Sequence, residues 1–126
     1  MFKRLFKRLF NRLKVDEADR RADGIRDWVA TLPGVTLIEA VEPRTEARVA
    51  GVVEIVRVRP REGVPAVEVV LGDGTGTVTA VWLGRRMISG LNLGSRMILH
   101  GRAGGERARL QLMNPTYEFA APPERD

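Results

Sequence analysis

The sequence contains no cysteine, one histidine and no run of apolar residues long enough to cross a bilayer as a helix. Without cysteine the chain has no disulfide, no thiol nucleophile and no cysteine-based metal site, which fits a reducing compartment. The basic start of the chain also lacks the continuous apolar core of a secretory signal. We therefore expect a cytoplasmic protein that holds no metal and no other cofactor.

Lysine is confined to the first fourteen residues, and every later basic residue is arginine. Those fourteen residues hold six basic side chains and no acidic one. The remaining 112 residues therefore carry a net charge of −1, the difference between the total of +5 and +6. Because this larger part is not basic overall, any attraction of phosphate groups there has to come from a local cluster of arginines.

Residues that carry catalysis are equally scarce. Glycine-rich residues 72–76 lack the lysine of a phosphate-binding loop and precede a predicted strand, so they indicate a tight hairpin turn. Ser89 and Ser95 have no evident base beside them, and carboxylates such as Glu54 and Glu68 are typical of exposed strand faces. We predict that the protein is not an enzyme.

Residues 1–14 predict a helix with one apolar face and one basic face, because leucine and phenylalanine recur at spacings of three and four. Three of the four phenylalanines lie here, which a fully solvated helix does not explain. We expect this helix to bind an anionic membrane surface or a protein partner, to pack on its own domain, or to form a dimer. The predicted membrane- or partner-binding residues are Phe2, Lys3, Arg4, Phe6, Lys7, Arg8, Phe10 and Arg12.

Residues 15–46 predict a second helix and a connector. Asp16 is suited to cap the start of this helix, and Pro33-Gly34 ends it. Thr36 and Glu39 have the spacing of a capping box, which predicts a single helical turn before the strands.

From residue 47 onwards the pattern changes to alternating apolar residues and turn signals. It predicts a long, bent, glycine-containing first strand from Ala47, a strong hairpin turn at 72–76, and a turn of helix within 84–92. The other predicted strands are 66–71, 77–83, 96–102 and 108–113, with a brief continuation at 116–119.

Five short strands with an irregular segment between the third and fourth predict a mainly β protein, a five-stranded OB-fold Greek-key barrel preceded by one or two N-terminal α-helices. An SH3-like barrel has a similar periodicity, and the helix-like insertion favours the OB arrangement. The predicted organisation is a basic amphipathic helix at 1–14, a helix and connector at 15–46, the OB barrel at 47–119 and a disordered tail at 120–126.

The barrel residues resemble helicase- and tRNA-type OB domains. The resemblance lies in residues 49–53, 67–71, the Asp73-Gly74-Thr75-Gly76 hairpin and the ending Asn114-Pro115-Thr116-Tyr117-Glu118. It is strongest to the wedge domain of the branched-DNA helicase RecG, and extends to short actinobacterial proteins built around a single OB domain. The sequence has no GxxxxGK[ST] loop, so the resemblance implies nucleic-acid binding without a helicase motor.

Arginines near the predicted binding face are the candidate nucleic-acid ligands, because a guanidinium pairs with phosphate bidentately and stacks on bases. In OB domains the ligand crosses strands two and three between the loops that join strands one to two and four to five. Aromatic residues are few, and Trp82 is predicted to lie in the core. The predicted nucleic-acid-binding residues are Arg57, Arg59, Arg61, Arg85, Arg86, Arg102, Arg107 and Tyr117.

Two functions remain open from the sequence. The first is a nucleic-acid-binding module, with DNA more favoured than RNA and single-stranded or branched DNA the expected ligand, bound weakly and with little sequence preference. The second is a membrane-peripheral or protein-interaction adaptor that uses the amphipathic helix. The near-neutral, aromatic-poor barrel favours the adaptor, whereas the arginine placement favours nucleic-acid binding.

Overall fold

A computed structural model describes the backbone of residues 2–121 and the side chains of residues 16–121. One helix, α1 (Phe2–Ala30), and a short 3₁₀ turn (Ile38–Ala40) precede six strands. The strands are β1 (Glu46–Arg61), β2 (Val64–Gly72), β3 (Thr77–Leu83), β4 (Arg96–Glu106), β5 (Arg109–Met113) and β6 (Thr116–Ala120).

Five of the strands close into a ring. β1 pairs antiparallel with both β2 and β4, β2 pairs with β3, β3 pairs in parallel with β5, and β5 returns to β4. This is the connectivity of an OB barrel, and it confirms the predicted fold class. The brief continuation predicted at 116–119 forms β6, a sixth strand that pairs with the first half of β4.

β1 is long and bent, as its sequence predicts. Its first half pairs with β4 and its second half with β2, and the register with β2 shifts between Val53 and Ile55. A β-bulge of this kind turns a strand from one side of a barrel to the other. Gly51 lies at the crossing, where a side chain would collide with the backbone carbonyl of Gly72. The glycine therefore permits the close approach of the two strands that the bend requires.

The core lies inside the ring and contains the inward-facing aliphatic residues of all five strands. Trp82 on β3 is 4 % exposed, which confirms its predicted place in the core. Its indole N–H donates to the carbonyl oxygen of Pro115 at 2.9 Å, and its ring meets that of Tyr117 edge-on at 5.4 Å between centroids. The aromatic residues thus fasten β6 to the barrel.

α1 runs without a break through Asp16, so that residue does not cap a second helix as predicted. The C-terminal end of α1 packs on the barrel: Val29 is 2 % exposed, and the guanidinium of Arg96 lies 4.5 Å from the ring centroid of Trp28. The apolar and basic side chains predicted as a contact surface on residues 1–14 lie outside the described side chains, as do residues 122–126 of the predicted tail.

The segment between β3 and β4 contains turns instead of the predicted turn of helix. Gly84, Gly90 and Gly94 all have positive φ angles, which interrupt helical backbone geometry. Ile88 is buried and anchors the segment against the core. The predicted helical turn after Thr36 does form, as the 3₁₀ turn, but no side chain caps it from its own N-cap position.

Candidate nucleic-acid interface

A groove crosses the outer face of the barrel over β1, β2, β3 and β5. Its volume is about 440 Å³. In an OB barrel this is the face that the ligand crosses. We call it the arginine groove, and its lining residues are Ile55, Arg57, Arg59, Arg61, Glu68, Val70, Thr77, Thr79, Ala108, Arg109, Leu110 and Gln111.

Strand alternation places three arginines in this groove. Arg57, Arg59 and Arg61 occupy alternate positions of β1, so their side chains leave the strand on the same side. The second half of β1 pairs with β2 after the bulge, which brings the three side chains beside the outer face of β2. Arg109, at the start of β5, lines the same groove. Four arginines therefore line one groove, together with a single carboxylate, that of Glu68.

Glu68 lies at the base of the arginine groove and is 5 % exposed. Its Oε2 accepts a hydrogen bond from Nε of Arg59 at 3.1 Å and forms an ion pair with Nη2 of the same residue at 2.9 Å. Nε of Arg61 lies 3.2 Å from Oε1 but is not aligned to donate a hydrogen bond to that buried oxygen. The hydrogen bond from Arg59 lowers the pKa of Glu68, which burial alone would raise, and the charges of Arg59, Arg61 and Arg57 lower it further. The sequence-based expectation that Glu68 marks an exposed strand face is wrong.

Arg61 is held from two sides. Its Nε lies beside Glu68, and its two terminal nitrogens lie 3.0 and 3.2 Å from the amide oxygen of Gln111 when that amide is turned to accept from them. Arg57 and Arg109 differ from this pair, because neither makes a side-chain hydrogen bond or an ion pair to any described residue. The groove thus contains two restrained arginines and two unrestrained ones.

None of the residues that line the arginine groove is aromatic. Tyr117 lies on β6, where its ring packs between Trp82 and Phe119 at centroid distances of 5.4 and 5.9 Å. It is partly buried against the core. The groove therefore offers guanidinium groups, hydroxyls and aliphatic side chains, without a ring on which bases would stack.

The structure places the other predicted ligands outside the groove. Arg85 lies near Tyr117, with Nη1 3.4 Å from the phenolic oxygen, and Arg86 lies beside the β1–β2 hairpin. Arg102 is exposed on β4 opposite Glu46. Arg107 forms an ion pair with Glu42, which lowers the pKa of that carboxyl and raises that of the guanidinium.

Sequence reasoning did not select five polar residues of the groove, which are Glu68, Thr77, Thr79, Arg109 and Gln111. Strand alternation could have identified Glu68 and Thr79, since each faces the same side of its strand as its groove-lining neighbours Val70 and Thr77. Arg109 and Gln111 have no comparable signal, because β5 joins this face only through its parallel pairing with β3. That pairing is a property of the ring and not of the local sequence.

Among the described residues, no helix has both the length and the apolar character needed to span a membrane. Residues 16–121 also contain no group of three or more histidine, aspartate or glutamate side chains arranged to hold a metal ion.

No family model and no curated protein matches the chain. Among solved structures, the chain is similar to the replication factor A related protein from Methanobacterium thermoautotrophicum, with a TM-score of 0.52 and 20 % sequence identity. The similarity covers 72 % of this chain and 94 % of that one. At this identity the likeness concerns the fold alone, and it agrees with the OB-type barrel that the strand pairings establish.

Proposed function

We propose that the protein is a non-catalytic nucleic-acid-binding protein whose ligand crosses the arginine groove. The observation that carries this proposal is that Arg57, Arg59, Arg61 and Arg109 line a single groove whose only acidic lining residue is Glu68. The chain beyond residue 14 has a net charge of −1, so this local excess of positive charge stands out from its surroundings. A guanidinium forms charge-assisted, bidentate hydrogen bonds with phosphate, which makes a polyanion the matching ligand.

Single-stranded or branched DNA with little sequence preference is the proposed ligand. Without aromatic rings in the groove, contacts to phosphates outweigh contacts to bases, and phosphate contacts carry little sequence information. The resemblance of the Asn114–Glu118 ending to the RecG wedge supports a branched-DNA ligand. A solved structure with the same fold is named a replication factor A related protein, which also supports a nucleic-acid partner.

Fluorescence anisotropy of labelled oligonucleotides with the full chain tests this proposal. We expect binding to single-stranded and forked DNA at low salt that weakens steeply as salt is added. Oligonucleotides of single-stranded RNA and duplex DNA, matched in length, rank the ligand classes. If none of the four binds at low salt, the proposal is wrong.

An adaptor that binds an anionic membrane or a partner protein through residues 1–14 is the second candidate. The observation that favours it is the continuity of α1 from Phe2 to Ala30, because its C-terminal end is fixed to the barrel by the buried Val29. Cosedimentation of the full chain with anionic and with neutral vesicles tests the membrane version. Sedimentation with anionic vesicles that is lost in a Lys7→Glu/Arg8→Glu variant, together with no nucleic-acid binding, would favour the adaptor.

A further inference from the structure

We propose that Glu68 is a positioning residue that holds Arg59 and Arg61 in the conformation that receives a phosphate. The inference rests on the proposed function of the arginine groove and deepens it. Glu68 itself touches no ligand in this proposal, since its carboxylate is 5 % exposed and lies beneath the two guanidinium groups.

The contacts divide the four groove arginines into two classes. Arg59 donates from Nε to Oε2 of Glu68 and brings Nη2 to 2.9 Å from the same oxygen, which leaves its Nη1 unused among the described contacts. Its side chain is 57 % exposed, so the guanidinium reaches from the buried carboxylate into the open groove. Arg61 is 38 % exposed and is held between Glu68 and Gln111. Arg57 and Arg109 make no such contacts with any residue whose side chain the structure describes.

A restrained arginine has a different energetic role from a free one. A long, flexible side chain loses rotamer entropy when it is immobilised against a ligand, and this loss opposes binding. Glu68 already immobilises the two arginines when the protein folds. Their loss of rotamer entropy therefore no longer opposes binding to the nucleic acid. The disadvantage of this arrangement is that the Glu68 carboxylate repels a polyanion. That negative charge is largely compensated by the arginines bonded to it.

The two effects of Glu68 have opposite signs, which makes the proposal decidable. If Glu68 acted only through its charge, replacing it by glutamine would strengthen binding, because one repulsive charge would be lost. If Glu68 orders the arginines, the same replacement weakens binding in spite of the gain in net positive charge. Glutamine has the same shape and size, so the packing beneath the groove is retained.

The primary experiment compares Glu68→Gln with wild type in the single-stranded DNA anisotropy assay. We expect Glu68→Gln to bind about fivefold more weakly, the order expected when two arginines must be ordered during binding. Glu54→Gln is the matched control: it removes the same charge from an exposed position of β1 that does not line the groove. We expect this control to bind as tightly as wild type or slightly more tightly.

A double-mutant cycle tests whether the effect passes through the arginines. In an Arg59→Gln/Arg61→Gln background, Glu68→Gln has no arginine left to disorder, so we expect it to leave affinity unchanged or raise it. A fivefold loss that persisted in this background would overturn the positioning role. Far-UV circular dichroism of each variant establishes that the barrel is folded.

A ligand-free measurement keeps the proposal testable if a variant is unstable. In the NMR spectrum of the wild-type chain, we expect a slowly exchanging Nε–H signal for Arg59, whose Nε donates to Glu68, and a fast-exchanging one for Arg57. Fast exchange at both positions would overturn the proposal. Absence of nucleic-acid binding by the wild type would overturn the proposed function and the positioning role with it. Binding that Glu68→Gln leaves unchanged or strengthens would overturn the positioning role alone.

Discussion

The buried carboxylate of Asp73 accepts a hydrogen bond at 2.7 Å from the backbone N–H of Ile38, which lies 35 residues earlier in the chain. Its other oxygen accepts from the N–H and hydroxyl of Thr75 at 2.9 and 2.6 Å, and from the N–H of Gly76 at 3.2 Å. One side chain therefore shapes the β2–β3 hairpin and ties it to the 3₁₀ turn of the connector. The interactions satisfy backbone donors at a site where water is excluded.

Replacing Asp73 by alanine is expected to destabilise the protein by about 3 kcal/mol, because several donors lose their acceptor and the Ile38 N–H stays buried. Urea unfolding followed by circular dichroism measures the change. Asp23→Ala is the control: its carboxylate forms an exposed ion pair with Arg26 on α1, and such pairs contribute about 0–1 kcal/mol. Equal effects of the two substitutions would contradict the structural role of Asp73.

Position 74 requires glycine for two reasons, its backbone conformation and the close approach of α1. Its φ angle is +89°, and a Cβ there would collide with the backbone carbonyl of Ala22 on α1. We therefore expect Gly74→Ala to cost about 1–3 kcal/mol in backbone strain and to displace α1 as well. Trp28, at the end of α1 that packs on the barrel, provides a fluorescence signal for that displacement, best recorded in a Trp82→Phe background.

Gly63→Ala is the matched control for this prediction. Gly63 has a φ angle of +81°, and nothing lies within 4 Å of the position that its Cβ would take. We expect Gly63→Ala to lose stability through backbone strain without a change in Trp28 fluorescence. If both variants shift the Trp28 emission equally, the collision with Ala22 does not determine how α1 packs.

Glu68 is expected to make the stability of the protein depend on pH in the acid range. Its pKa in the folded state is lowered below its usual 4.5, so at intermediate pH the folded protein binds fewer protons than the unfolded chain. The stabilisation is therefore complete above about pH 4.5 and is lost as pH falls through the folded pKa.

Thermal unfolding across this range is the corresponding measurement. We expect the stability difference between wild type and Glu68→Gln to be largest above pH 4.5 and to shrink at lower pH, where Glu68 is protonated. Glu42→Gln is a useful comparison, since its pKa is also lowered, by Arg107, but the pair is exposed and screened by salt. A pH-independent difference for Glu68→Gln would contradict the ion-pair interpretation.

Arginines in the groove and arginines outside it are expected to affect the salt dependence of DNA binding differently. For single-stranded DNA, each lost phosphate contact reduces the slope of log K against log salt by about 0.7. We expect this reduction for Arg57→Gln and for Arg109→Gln, together with weaker binding at low salt. Arg102→Gln removes the same charge from β4 outside the groove and is expected to leave the slope unchanged.

Contradictory results are easily recognised in this experiment. If Arg102→Gln reduces the slope as much as Arg57→Gln, binding depends on the overall charge and not on the groove. If Arg107→Gln reduces the slope and Arg57→Gln does not, the ligand lies nearer the β4–β5 loop. Glu42 then competes with the ligand for the Arg107 guanidinium.

Local sequence determined most of the barrel of this protein. Alternating apolar residues fix which side of each strand is buried, and the glycines of the 72–76 hairpin fix where the chain reverses, because both depend only on neighbouring residues. The same alternation placed Arg57, Arg59 and Arg61 on one side of β1. These features follow from the periodicity of a strand and the steric freedom of glycine.

The tertiary structure alone decided how those elements meet. The parallel pairing of β3 with β5 brought Arg109 and Gln111 to the arginine groove, and the bend of β1 laid Arg59 over Glu68 and so buried that carboxylate. The tertiary structure also places Tyr117 away from the arginine groove, because its ring packs on Trp82. Burial, ion pairing and a displaced pKa arise from residues far apart in sequence, so they exist only once the ring has closed.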